Sequence, residues 1–157
     1  MHTLDTHAPS PEHLPGRLAR LGLGLGFTVF GLNGFFGFLP APPMPADAGV
    51  FLGALAATGY MFPLVKGTEV VAGALLLAGR QVPLALLLLA PVLVNVVLFH
   101  AVLAPSGLAL PLALAGAAAY VAWTRRSAFG SIFAGGVGEA RSARRAQVEG
   151  SALGALR

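Results

Sequence analysis

The sequence predicts an all-α integral membrane protein: a four-helix bundle with a short interfacial helix between the first and second spans. Three observations carry this prediction. Hydrophobic residues make up 56% of the 157 residues and charged residues only 10%, against about 25% charged in an ordinary soluble domain. Mean hydropathy is +0.79. The apolar residues are gathered into stretches close to the ~20 residues that a helix needs to cross the hydrocarbon core, with arginines between them.

The same composition excludes other classes. Ten bases and six acids are too few to coat a soluble domain, and so apolar a chain is not a disordered one. There is no cysteine, so a disulfide scaffold, thiol catalysis, iron–sulfur clusters and cysteine zinc sites are excluded. The net charge of +4 does not indicate nucleic acid, because the position of the bases assigns them to membrane flanks.

Residues 1–16 hold His2, His7 and His13 among prolines and acids. They have no metal-ligand spacing and read as a disordered cytoplasmic tail. The membrane domain covers 17–126, and its first span runs over 18–39. The alternation Leu21-Gly-Leu-Gly-Leu25 has a strand-like period but does not continue, so it does not indicate a barrel. Pro40-Ala-Pro-Pro-Met-Pro45 cannot lie inside a helix. Residues 46–58 read as a short helix lying at the interface or dipping into it. Joined to the next span they would make a helix of roughly 48 Å, which overshoots the bilayer; Gly59 and Pro63 offer a break. A separate fifth span is the alternative.

The second span is 60–79, the third 82–104 and the fourth 108–123, with Tyr120 and Trp123 marking an interface. Residues 127–157 read as a basic, flexible cytoplasmic tail, whose Arg141, Arg144 and Arg145 suit anionic headgroups. The Ala46-Asp-Ala48 sequence has a cleavage-site look, but the run 21–39 exceeds a signal-peptide core, so no cleavage is expected.

Orientation follows from the arginines. Arg17 and Arg20 stand at the start of span one, Arg80 sits in the turn after span two, and Arg125 and Arg126 follow span four. The opposite loops, 40–59 and 105–107, contain no Lys or Arg. The positive-inside rule puts both termini in the cytoplasm.

Few polar side chains enter the spans, and Asn33, Lys66, Glu69, Asn95 and His100 are the notable ones. A charge at the bilayer centre costs about 2.5–3.5 kcal/mol, so the group calls for an explanation. Counting from the span ends at ~1.5 Å per residue, all five lie within roughly 6–13 Å of the outer face. This predicts a single polar cluster in the outer half. Lys66 and Glu69 are three residues apart and share a helix face. They are either a neutralising pair that lets the helix insert, with Lys66 snorkelling outward, or part of a site in which Glu69 and His100 act as an acid/base or ligand-binding pair. For His100, a headgroup or loop hydrogen bond is the simpler role. Asn33 and Asn95 suit interhelical hydrogen bonds; with Lys66 and Tyr60 they are also the candidate ligand-binding side chains.

Gly22 and Gly26 form a small-xxx-small pattern on span one, which Gly49 and Gly53 repeat in the short helix. Pro91 is expected to kink span three.

The run Thr58-Gly-Tyr-Met-Phe-Pro-Leu-Val-Lys-Gly-Thr-Glu-Val-Val-Ala-Gly73 resembles the second-helix region of the DoxX family of small bacterial membrane proteins. Gly26-Phe-Thr-Val-Phe-Gly-Leu-Asn-Gly34 is similar to that family's opening helix, and Ala90-Pro-Val-Leu-Val-Asn95 with Leu98-Phe-His100 is close to a subgroup. The matching motif positions are Lys66, Glu69 and Gly73. Where many members carry a lysine, this chain has Asn33 or Gly34.

The resemblance covers roughly 17–126. It implies a four-helix bundle in the bacterial inner membrane and an association with quinol- and thiosulfate:quinone-linked oxidoreductases. On that reading Glu69 exchanges protons, and Asn95 and His100 hydrogen-bond a ring carbonyl. There is no haem or flavin motif, so no covalent cofactor is expected and electron transfer would need a bound quinone or a partner subunit. A non-catalytic scaffold with a structural polar cluster is the alternative. A small transporter has less support without an inverted repeat, unless the chain forms a homo-oligomer.

Overall fold

A computed structural model describes residues 13–40 and 43–129. The predicted tails lie almost wholly outside the described residues. The described residues are helical, with no strand among them. The elements are α1 (Leu14–Phe36), α2 (Ala46–Ala57), α3 (Met61–Ala78), α4 (Val82–Val102), a 3₁₀ turn (Pro105–Gly107) and α5 (Ala109–Thr124). Three of them, α1, α3 and α4, are long and apolar enough to cross a membrane. At ~1.5 Å per residue α5 measures about 24 Å and α2 about 18 Å. Residues 13–124 lie in one compact unit, and Arg125 opens a second.

The first helix begins at Leu14, earlier than the expected start of the membrane domain at residue 17. Pro15 sits in its first turn, where a proline costs no hydrogen bond. It ends at Gly37, whose φ of 59° supplies the left-handed cap. The third helix ends in a Schellman arrangement: the Gly79 N–H bonds the Leu76 carbonyl and the Arg80 N–H the Leu75 carbonyl, both at 3.1 Å. Gln81, with φ of 50°, completes a three-residue turn into α4. That helix runs unbroken through Pro91.

Helix α1 packs on α3 and α5, and α4 packs on the same two. The tightest seam is α1 against α3, and the pairings show that the two run antiparallel. Gly24 faces Leu76, Thr28 faces Gly73, Gly31 faces Val70 and Gly34 faces Lys66. At Gly73 a Cβ would stand 2.7 Å from the Thr28 backbone nitrogen and 2.9 Å from the Gly24 carbonyl oxygen. Only glycine lets the two backbones approach this closely.

This corrects the expected packing motif. Gly22, Gly49 and Gly53 have no neighbouring atom within 4 Å of a would-be Cβ, and Gly26 makes an ordinary 3.5 Å contact with Leu114. The seam uses Gly24, Gly31 and Gly34 instead, on a heptad-like spacing.

Arg20 also differs from expectation. It is not a solvated flank residue but a buried one, 7% exposed. Its Nη1 donates to the Leu76 carbonyl and lies 3.3 Å from the Leu77 carbonyl. A cation on the last carbonyls of α3 adds a second donor to the Leu76 carbonyl already bonded by Gly79 and opposes the negative end of the helix dipole.

The core is apolar: Leu23, Leu76, Val82, Ala85, Leu89 and Val121 are each 1% exposed or less. The outward faces carry exposed Leu25, Val71, Leu84, Leu87, Val94 and Leu98. An apolar exterior over a packed interior is what a lipid solvent requires and what water opposes.

Candidate functional site

The polar residues gather at the other end of the bundle, where α1 and α4 finish and α3 begins. A cavity of about 580 Å³ opens there. Asn33, Lys66, Glu69, Asn95 and His100 all line it. Tyr60 does not; it stands just before α3 and is 63% exposed.

The rest of the wall is apolar. Helix α2 contributes Phe51, Leu52 and Leu55, which with buried Ala48 follow the i, i+3, i+4, i+7 spacing of one helix face. Phe51 reaches across to Phe99 of α4 at 5.7 Å between ring centroids. The opposite face of α2 is exposed and also apolar, with Val50 71% exposed. The Thr58–Gly59 turn joins α2 to α3. Thr58 Oγ1 donates to the Leu55 carbonyl at 2.7 Å and accepts from the Met61 N–H at 3.0 Å, and Gly59 takes φ of 74°.

Glu69 is the buried centre of the polar cluster, 3% exposed. Its Oε2 accepts from Lys66 Nζ at 2.8 Å. Its other oxygen has no hydrogen-bond partner among the described residues. The Lys66 stem lies across Gly34, and its ammonium stands 5.8 Å from the Phe62 ring centroid. Lys66 therefore does not simply snorkel outward; it is held over α1 by the space a glycine leaves, and its charge is met by a carboxylate and an aromatic face.

His100 Nδ1 lies 2.9 Å from the Val96 carbonyl oxygen of its own helix. A carbonyl only accepts, so Nδ1 carries the hydrogen, and in the neutral ring Nε2 is left as an acceptor. The ring meets Phe99 edge-on and lies on Gly107, where a Cβ would come within 2.7 Å of His100 Cδ2. The expected loop contact is therefore present as packing, while the hydrogen bond stays within α4.

Asn33 holds the end of its own helix. Its carbonyl accepts from the Gly37 N–H at 2.8 Å and its Oδ1 from the Leu39 N–H at 2.6 Å. This corrects the expected interhelical role: the nearest unsatisfied donor is on the turn that leaves α1. Asn95 is exposed and its side chain makes no hydrogen bond among the described residues, so it is not interhelical glue either.

The arrangement suits an amphiphile. Cavities of roughly 300–1,000 Å³ with mostly apolar walls and a few convergent polar groups take ring-sized ligands. Among the described residues no group of three His, Asp or Glu side chains assembles that would hold a metal. Sequence reasoning missed the α2 wall, Gly34 and Gly107. The 48/51/52/55 spacing was a readable signal for the first. The two glycines carried none, because their role is to be crossed by side chains far along the chain. No family model, curated protein or solved structure matches this chain.

Proposed function

We propose that the chain is a DoxX-like protein of the bacterial inner membrane, with α1, α3, α4 and α5 as four spans and both termini cytoplasmic. In this reading α2 lies within the outer boundary of the bilayer and roofs the cavity. The cavity binds a lipid-soluble quinone or a small sulfur compound, and the chain serves as an accessory subunit beside an oxidoreductase partner. Glu69 and His100 supply the proton-handling and hydrogen-bonding groups, Asn95 and Lys66 orient the ligand, and Asn33 braces the mouth. The observation that carries the reading is that one cavity gathers every intramembrane polar residue expected from the sequence. The test is a titration of purified protein with a short-tailed benzoquinone, read by difference absorbance. Saturable binding that disappears in Leu55→Trp, where the indole fills the cavity from α2, supports the reading. The absence of saturable binding overturns it.

A second reading is a non-catalytic scaffold. The Lys66–Glu69 hydrogen bond favours it, since the two charges neutralise each other without a ligand.

A further inference from the structure

The cavity's polar groups are not balanced between donors and acceptors. Glu69 has spent one carboxylate oxygen on Lys66 and has no partner for the other among the described residues. His100 has committed Nδ1 as a donor to the Val96 carbonyl, which leaves Nε2 an acceptor. Asn95 can both donate and accept. Lys66 is the one strong donor, and it is engaged with Glu69. A ligand carbonyl or ether satisfies Lys66 and Asn95 but leaves the Glu69 oxygen and His100 Nε2 unmet. A hydroxyl both donates and accepts, so it serves either side of this inventory.

Given that the cavity holds a lipid-soluble ring compound, we propose that it selects hydroxyl-bearing ligands, of the phenol class, over ether counterparts of the same shape. The donated hydrogen goes to the free oxygen of Glu69 or to His100 Nε2. The ring lies between Phe51, Phe99 and Leu114, which supply apolar contact. The discrimination arises because a buried acceptor left unpaired by the wrong ligand has lost its water and gained nothing.

The test uses the full chain in detergent and two probes of one shape, para-hexylphenol and its methyl ether, para-hexylanisole. Binding is measured by calorimetry as the difference between the wild-type protein and Leu55→Trp, which removes partition into the micelle. The phenol is expected to bind at least about tenfold tighter, the effect of one hydrogen bond to a charged acceptor. In Glu69→Gln the carboxylate acceptor is replaced by an amide that also donates, and the ratio is expected to narrow. Equal affinity for both probes, or tighter binding of the ether, overturns the selectivity and leaves the cavity reading intact. Binding of neither probe overturns the cavity reading and the selectivity with it. The probe pair decides the matter in the wild-type chain even if Glu69→Gln does not fold.

Discussion

The aliphatic stem of Lys66 lies across Gly34, so that a Cβ on residue 34 would stand 2.5 Å from Lys66 Cγ and Cδ. Two residues from different helices thus share one volume. The ion pair with Glu69 is positioned by an absence on α1.

Substitutions along the seam should therefore rank by the stiffness of what they meet. Gly73→Ala pushes against backbone on α1 and should cost the most, about 2–3 kcal/mol. Gly31→Ala meets Val70 Cγ2 at 2.8 Å and its backbone nitrogen at 3.0 Å, and should cost somewhat less. Gly34→Ala meets a side-chain stem that can swing, and should cost about 1 kcal/mol while loosening the Lys66–Glu69 bond. Gly22→Ala meets nothing and should be neutral or stabilise by up to ~1 kcal/mol, since alanine is the better helix former. Thermal unfolding in detergent reads this order; a costly Gly22→Ala beside a silent Gly73→Ala would refute the seam.

Arg20→Met should destabilise the bundle by about 1.5–3 kcal/mol, the worth of a charged donor on buried carbonyls. Arg20→Lys should recover only part of this, since an ammonium is more strongly hydrated than a guanidinium and costs more to bury. Arg17→Met, at an exposed position, should change little. Equal losses at both arginines would show that bulk charge, and not the cap on α3, is what matters.

Glu69→Leu leaves Lys66 without its carboxylate and should cost about 1–3 kcal/mol; the range is below that for fully buried pairs because the Lys66 side chain is 20% exposed. Lys66→Met/Glu69→Leu should restore most of that stability. A ligand-binding role for Glu69 requires that the double variant still fail to bind the benzoquinone probe. If it regains both stability and binding, the pair is structural and the proposed role of Glu69 falls.

Reporter fusions at Ala8 and Ser151 should both read cytoplasmic under the four-span proposal. An external C-terminal reporter would mean that α5, about 24 Å long at ~1.5 Å per residue, does not cross, and the arginine argument would go with it.

The helices were legible because lipid imposes a blunt rule: a long apolar run between turn residues has little else to become. The short helix was expected at 46–58 and is found at Ala46–Ala57. The third span was expected to start at residue 82 and does. The polar cluster was legible for the same reason, because depth along a helix follows from counting residues. Direction around the axis does not. Tyr60, expected in the site, lies just before α3, is exposed and does not line the cavity. Asn33 turned to its own loop because Gly37 bends the chain back within reach of its amide. The choice of Gly24 over Gly22 depends on which face meets α3, and in a helix apolar on every side no periodicity reports that.

The apolar core between the cavity and Arg20 has an electrical consequence. Between Glu69 and the carbonyls of Leu76 and Leu77 lies about 10 Å of α3, and along the α1 seam beside it the polar side chain is Thr28, whose Oγ1 is buried without a hydrogen-bond partner. One isolated hydroxyl is not a relay. Under the proposed function, a proton taken up at Glu69 returns by the cavity mouth, because the described side chains form no relay from it to Arg20. With Glu69 roughly 10 Å below the outer face under the four-span proposal, that proton senses part of the membrane field without completing a crossing.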